Sequence, residues 1–344
     1  TPHYGQLYGD GDFIISAPKM NEGPEGENKD NDVLIAIPYV DEVRASTSTN
    51  EKVDYIKELI SSDASQIKLH DFAVKEVRRF LSLTSEDSFG VSGNFTTEEL
   101  LERFDSYERH TKDLSLIIAC LSHWATGDQI GTLAKMVSRA SDRLTEAQGG
   151  LNIWLNLRWY PLILLIYNSG ISAIESKNYN SLSEIFYTKL ASSDASRKEK
   201  YFVQWVANAV VNLRDAFMKI PDYEKKYTPM SEYIYKLLQP DLDDMLFLGK
   251  GYESIFDDFE ILFSLVASDS NKQEGGFYYG PIGRFGWKNR YDGNSPLQRM
   301  RKEAAEQKSN WGPIKAGMFG GDYDRFEAVA DEYQKNILDQ LGWY

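Results

Sequence analysis

The segment WLNLRWYPLILLIYNSGISAI, residues 154–174, is the most apolar window of the chain and carries a single charged side chain, Arg158. A membrane-spanning helix needs about 20 predominantly apolar residues. Polar side chains interrupt this window and leave only residues 159–167 free of them. We therefore predict a helix that is buried on nearly all sides within a stack of helices, with Pro161 in its first turn, where a missing N–H is harmless.

The charge balance disfavours whole classes of partner. The chain has 344 residues, with 38 Lys and Arg against 52 Asp and Glu, for a net charge of -14. A field of that sign repels phosphate backbones and anionic membrane surfaces. The sequence predicts no membrane association, and any binding of a nucleotide or nucleic acid would need a local basic surface.

The chain has one cysteine, Cys120, so no disulfide can form within it and no zinc site can be built from several cysteines. That usage is typical of a reducing compartment, and no secretory signal opens the sequence. We predict a cytoplasmic protein. The first residue is Thr1, not Met, and we expect a fragment of a longer polypeptide.

Two short β-branched runs, residues 13–18 and 33–38, flank a polar Gly, Glu and Asn stretch at 19–32. They predict two strands joined by a surface loop, that is, a small N-terminal β hairpin or sheet. We assign residues 1–50 to this hairpin and linker region.

From about residue 51 the apolar spacing becomes helical. In residues 65–83 the apolar side chains fall on one stripe, and Thr96 followed by Glu99 predicts a capping box at the start of the next helix. Residues 171–190 read as two helices joined by a short turn, with Tyr179 wedged between them.

Further helices are predicted near the C-terminal half of the chain: 200–219, 230–238, 252–267, one opened by Ser295 and Pro296, and 322–340. Asp241, directly after Pro240, suits a helix start, where a carboxylate meets the positive end of the dipole. The predicted fold class is mainly α, built of packed helical hairpins. We divide the helices into subdomains at 51–150 and 151–344, the second with a Gly- and aromatic-rich loop at 275–295.

Several residues that could carry chemistry have a simpler structural interpretation. Cys120 and His123 share a helical face and could form a thiolate nucleophile, but the apolar run before Cys120 favours core packing. The four histidines show no paired spacing for zinc. The acidic window 241–260 holds seven acids without an EF-hand pattern, which favours helix starts and a solvated face over a metal site. We predict no catalytic residues, no metal site and no cofactor.

The segment GPIGRFGWKNR, residues 280–290, is the sharpest local signal. Its glycines allow close approach of a ligand, a guanidinium can clamp a phosphate or carboxylate, and aromatic rings can stack on a base. The candidate ligand-binding residues are Arg284, Phe285, Trp287, Lys288 and Arg290. The alternative is a Gly-rich turn whose aromatics fold onto the core, with Arg284 paired to one of the many acids.

Two pieces of the sequence carry a resemblance. RWYPLILLIYNSGISAIESKNYNSLSEIF, together with PIGRFGWK and NWGPIKAGMFGGDYDRFEAVADEY, resembles the helical C-terminal regions of large bacterial anti-phage defence proteins. Their N-terminal domains are sirtuin-like or Schlafen-type divergent Alba domains. The resemblance covers about residues 150–190 and 280–335 and rests on aromatic, Gly and Pro patterns. It implies a mostly helical regulatory or sensing module, with the chemistry on another segment, and it supplies no catalytic residues.

The resulting functional prediction is a non-catalytic sensing, regulatory or oligomerisation module of a bacterial defence-type multidomain protein. It would contact a protein partner or a second copy of itself. The alternative is a nucleotide- or nucleic-acid-binding protein, or an enzyme, that uses the 280–290 segment with the acidic window.

Overall fold

Helical spacing of apolar side chains runs through most of the chain, and the structure, a computed structural model, is accordingly mainly α. It describes residues 48–145, 149–190, 199–276, 280–288 and 295–341. The predicted fold class is confirmed over these residues. The strands of the predicted N-terminal hairpin lie outside them, and so do residues 277–279 and 289–294 of the loop 275–295.

The described helices, numbered in chain order, have the following bounds. They are α1 Thr49–Ser61, α2 Gln66–Leu83, α3 Thr97–Trp124, α4 Ile130–Ser141, α5 Asn152–Leu157, α6 Tyr160–Glu175, α7 Tyr179–Phe186, α8 Phe202–Asn212, α9 Arg214–Phe217, α10 Pro229–Leu246, α11 Tyr252–Gln273, α12 Phe285–Lys288, α13 Pro296–Gln307, α14 Gly312–Lys315 and α15 Tyr323–Asn336. Two strands of two residues each, β1 Lys189–Leu190 and β2 Lys200–Tyr201, pair antiparallel before α8.

The apolar helix α6 lies at the centre of the packing. Every residue from 160 to 173 is buried, and the helix packs along α3 on one side and against α8, α10 and α11 on others. Pro161 lies in its first turn, as predicted. The apolar window is thus a covered central helix, because a segment without a polar face can only be stable when neighbours surround it.

Local sequence signals set the ends and faces of several outer helices. Leu69, Ala73 and Val77 form the buried stripe of α2, as the spacing predicts. The Thr96 hydroxyl accepts a hydrogen bond from the backbone N–H of Glu99 at 3.1 Å and caps α3. The predicted capping box is only half formed, because the Glu99 carboxylate accepts from Arg103 instead of the Thr96 backbone.

The prediction that Asp241 starts a helix is wrong. Helix α10 continues through Pro240 to Leu246. Proline in a helix interior removes a backbone hydrogen bond. Helix α10 continues here because buried side chains lie on both sides of the proline, Leu238 before it and Leu242 after it.

The two-helix reading of residues 171–190 is confirmed as far as Phe186, where α7 ends. Tyr179 begins α7 and packs against the backbone of Gly312: a Cβ at that glycine would lie 2.3 Å from the Tyr179 ring. The ring therefore joins the α6–α7 hairpin to α14, a contact distant in sequence.

All described residues fall within one compact unit, Thr47–Tyr344. The predicted division into subdomains at residue 150 stays a prediction. In the described part of the chain, no helix is both long enough and apolar enough to cross a membrane.

The close approach of α6 to α11 gives a direct test of the packing. At Gly170 a Cβ would lie 1.9 Å from the buried ring of Phe259. Gly170→Ala should lower the free energy of unfolding by about 1–3 kcal/mol, the usual effect of overpacking a core. Gly131→Ala in α4 is the control, because no atom lies within 4 Å of its Cβ position. It should be neutral or stabilising by about 0.4–1 kcal/mol in denaturant titrations. Equal effects of the two changes would contradict the packing described.

Candidate functional site

The segment 280–288 is fixed to the helices beneath it by buried hydrogen bonds. The carbonyl of Pro281 accepts from the Ser264 hydroxyl at 2.7 Å and from the Tyr333 hydroxyl at 2.6 Å. Gly280 lies so close to α11 that a Cβ would be 2.4 Å from the carbonyl oxygen of Ser264. The glycine permits close approach, as the sequence suggests, but what approaches is the protein's own helix.

Glu260 of α11 lies at the buried end of this segment. Its carboxyl group accepts from the Tyr167 hydroxyl at 2.8 Å and from the backbone N–H of Arg284 at 3.0 Å. That N–H also lies 2.9 Å from the Ser231 hydroxyl. Burial raises the pKa of Glu260 to about 8, with the hydrogen bonds from Ser231 and Tyr167 acting in the opposite direction. A Cβ at Gly283 would lie 1.9 Å from this carboxyl group, so a side chain there would displace Glu260 from its hydrogen bonds.

The Arg284 side chain is 7% exposed and lies against the acids of α11. Its Nη2 donates to Glu253 Oε1 at 2.9 Å, and its guanidinium carbon lies 3.6 Å from the centre of the Tyr235 ring. Its Nε is 3.9 Å from Asp257 Oδ1. Among the described residues, Nε and Nη1 of Arg284 and Oδ1 of Asp257 have no hydrogen-bond partner. The buried arginine is therefore charge-paired, and two of its nitrogens have no partner in the part of the chain that the structure describes.

Lys288 completes the cluster. Its Nζ donates to Glu253 Oε1 at 2.6 Å and makes a shorter contact with Asp257 Oδ2. The hydrogen bond from Lys288 lowers the pKa of Glu253, whereas burial raises the pKa of Asp257 despite the two cations. We call Glu253, Asp257, Arg284 and Lys288 the charge clasp. It joins the short helix α12 to α11.

The five predicted ligand-binding residues are placed differently. Arg284 and Lys288 belong to the charge clasp, and Phe285 is 0% exposed within the core. Trp287 is 39% exposed, with the Lys288 ammonium 5.5 Å from its ring centre. Arg290 lies outside the described residues. Ligand binding by this segment stays a prediction, and in this structure its two described cations are paired within the protein.

The acidic window 241–260 divides among several environments. Asp241 pairs with Lys112 at 3.1 Å, and Asp243 accepts from the backbone N–H of Gly249 at 2.5 Å. At its C-terminal end Glu253 and Asp257 belong to the clasp, Glu260 lies in the core and Asp258 faces Arg299 of α13. The predicted solvated face is therefore wrong for Asp257 and Glu260, which are buried. Within the described ranges, no group of three or more His, Cys, Asp or Glu side chains is arranged to hold a metal ion.

Cys120 lies in the core between α3 and α10. Its sulfur is 3.7 Å from that of Met245, and burial raises the pKa of the thiol to about 12. A thiolate is therefore disfavoured at neutral pH. His123 points elsewhere and its Nε2 makes a short contact with the Glu175 carboxylate. The geometry favours the packing interpretation of Cys120.

A second group of polar residues includes Asp258 of the acidic window, but the sequence does not indicate that this acid meets Arg299 and Glu303. Asp258, Arg299 and Glu303 line a cavity of about 250 Å³ whose walls include Tyr179 and Trp311. We call it the Tyr179–Trp311 cavity. The signal in the sequence was the Trp-Gly-Pro run at 311–313, where glycine admits the Tyr179 ring. The contact between Gly312 and Tyr179 could not be predicted from the spacing of residues, because the helices that form the cavity, α7, α11 and α13, are distant in sequence.

Comparison with protein-family models, with curated proteins and with solved structures finds no match.

The buried carboxyl group of Glu260 should make stability depend on pH. Its pKa is raised from 4.5 to about 8 on folding, so its contribution is complete below about pH 4.5 and is lost as the pH rises through about 8. Glu260→Gln, which mimics the neutral acid, should flatten the fall in unfolding free energy between pH 5 and 9. Denaturant titrations at several pH values measure this. The matched control is Glu274→Gln at the exposed residue that directly follows α11, which should leave the slope unchanged. If Glu260→Gln leaves the dependence of the unfolding free energy on pH unchanged, Glu260 is not the acid that causes this dependence.

Proposed function

We propose that the helical unit is a non-catalytic sensing or regulatory module of a larger bacterial defence-type protein. The observation that carries the proposal is a continuous polar path from the surface to the central helix. Glu253, whose side chain is 49% exposed, pairs with Arg284 at 2.9 Å. The backbone of Arg284 bonds Glu260, and Glu260 bonds Tyr167 of α6.

Such a path can transmit a change of charge at the surface. Glu253 is shared by the two cations of the clasp, Arg284 and Lys288. Replacing or neutralising Glu253 leaves Asp257 to pair with both, and Asp257 has an acceptor atom with no partner among the described residues. Ion pairs in a partly buried site are weakly screened, so a rearrangement there alters the segment that also holds Glu260.

Contact with a protein partner or with a second copy of the chain is part of the same proposal. Phe247 supports it: the residue follows α10 in a left-handed conformation with φ 55° and is 91% exposed. A large apolar side chain in that conformation is uncommon, and strained backbone is often found at functional positions.

The module proposal is tested by hydrogen exchange in the full chain. Glu253→Gln should speed the exchange of backbone amides in 280–288 and in α11 near Glu260, because the clasp loses one of its two acids. Glu274→Gln, at the exposed residue that directly follows α11, should leave the exchange of these amides unchanged. If the effect of Glu253→Gln is confined to its own turn of α11, the polar path does not couple the surface to the core and the proposal fails.

A second candidate function is binding of a nucleotide or single-stranded nucleic acid. The exposed ring of Trp287 beside the Lys288 ammonium favours it, because bases stack on such rings. Against it stand the buried Phe285 and the pairing of both cations with acids.

Fluorescence anisotropy with a labelled single-stranded oligonucleotide, and thermal shift with ATP and NAD, separate the two functions. The module proposal expects no saturable binding at about 0.15 M salt. The second candidate expects binding that weakens steeply with salt and is lost in Trp287→Ala. Val211→Ala, at another exposed apolar side chain, is the control.

A further inference from the structure

The Tyr179–Trp311 cavity lies where α11, α13, α14 and the start of α7 meet. Its volume is about 250 Å³ and it is partly open to solvent. Three charged side chains, Asp258, Arg299 and Glu303, reach it between aromatic and aliphatic walls. Binding sites for drug-sized molecules usually enclose about 300–1,000 Å³, so this space fits a smaller compound.

The charges of the cavity do not balance. Arg299 Nη2 lies 3.5 Å from Asp258 Oδ1 and is the one cation among the described residues that line it. Glu303 accepts a hydrogen bond from Gln307 at 3.1 Å, an amide that brings no charge. With both acids ionised, the lining carries one negative charge in excess. An anion would have to displace Asp258 from Arg299, whereas a cation meets the Glu303 carboxylate, which has no positive partner among the described residues.

The aromatic walls are fixed before any ligand binds. The Tyr179 ring packs on Gly312, where a Cβ would lie 2.3 Å away, and burial raises the pKa of its hydroxyl, which therefore stays neutral. Trp311 is 2% exposed and its ring centre is 4.7 Å from that of Phe326. Among the described residues, its indole N–H has no hydrogen-bond partner. Aromatic walls with carboxylates beside them are the chemistry that holds organic ammonium groups.

We propose that the Tyr179–Trp311 cavity binds a small organic ammonium compound, with Asp258 and Glu303 balancing its charge and Tyr179 and Trp311 enclosing its alkyl groups. The inference rests on the proposed sensing function in one respect, namely that the ammonium compound is the signal. Asp258 is adjacent in sequence to Asp257 of the charge clasp, so a positive charge in the cavity acts on both acids. Binding itself does not depend on that coupling.

The primary experiment is isothermal titration calorimetry of the full chain with choline at pH 8. The control ligand is 3,3-dimethyl-1-butanol, which has the same shape as choline but no charge. We expect saturable binding of choline, and binding of the neutral compound weaker by about tenfold, the loss of one cation–π and carboxylate interaction. Equal affinities for the two compounds would show that the cavity does not recognise the positive charge, which would overturn the proposal. The absence of choline binding would also overturn it.

Two variants on the same helix locate the site. Glu303→Gln removes a lining carboxylate at an exposed position and should lower the affinity for choline by about fivefold. Glu306→Gln, on α13 but outside the cavity, should leave the affinity unchanged. Both positions are exposed, so neither change threatens folding. Equal affinities of the two variants would place any binding elsewhere and overturn the assignment.

The pH dependence supplies an independent readout. The pKa of Asp258 is raised to about 7, chiefly by burial; Arg299 and Lys288 act to lower it, and Asp257 and Glu303 act to raise it. Choline does not titrate, so its affinity should rise between pH 6 and pH 8 as Asp258 ionises. The rise should vanish in Asp258→Asn. A pH dependence that persists in Asp258→Asn would remove Asp258 from the site.

A further titration, with a peptide ligand, distinguishes between a free small molecule and a modified protein side chain as the source of the ammonium group. A peptide with trimethyllysine carries the same group as choline. Tighter binding of the peptide would identify a modified lysine side chain, and equal or weaker binding a free small molecule. If choline binds but leaves hydrogen exchange in 280–288 unchanged, the cavity is a binding site for ammonium compounds and the sensing proposal fails. If Glu253→Gln shows long-range coupling but choline does not bind, the sensing proposal stands and the cavity assignment fails.

Discussion

The burial of α6 on all sides is the constraint on which the rest of the structure depends. A helix without a polar face must be covered by neighbours, and α3, α8, α10 and α11 are arranged around it. The cover is tight enough that Gly170 has no room for a methyl group beside Phe259. Because the core is filled in this way, polar groups enter it only where their partners are supplied, as with the Tyr167 hydroxyl and Glu260.

Helix α11 brings the two charged sites together. Its consecutive acids Asp257 and Asp258 face different surroundings: Asp257 meets Lys288 of α12, and Asp258 meets Arg299 of α13. One turn away, Glu260 ties the same helix to α6. A single helix therefore connects the charge clasp, the Tyr179–Trp311 cavity and the central packing. This is the arrangement a module needs if events at one surface are to alter another.

Much of the fold could be predicted from local pattern. The covered character of α6, the buried stripe of α2 and the cap at Thr96 depend on side chains close in sequence, and each was predicted. The continuation of α10 through Pro240 was not, because burial of its flanking turns outweighs one lost hydrogen bond. For the candidate site, the sequence predicts pairing of Arg284 with an acid as one of two alternatives, but it does not identify that acid as Glu253. The contact of Tyr179 with Gly312 joins segments too distant for periodicity to relate.

The position of Cys120 has a practical consequence. It is the one cysteine in the chain, and its sulfur is sealed beneath Met245 at the contact between α3 and α10. A thiol reagent can reach it only when those helices separate. Its rate of alkylation under native conditions therefore reports how often the core opens, and the chain carries this probe without any engineered label.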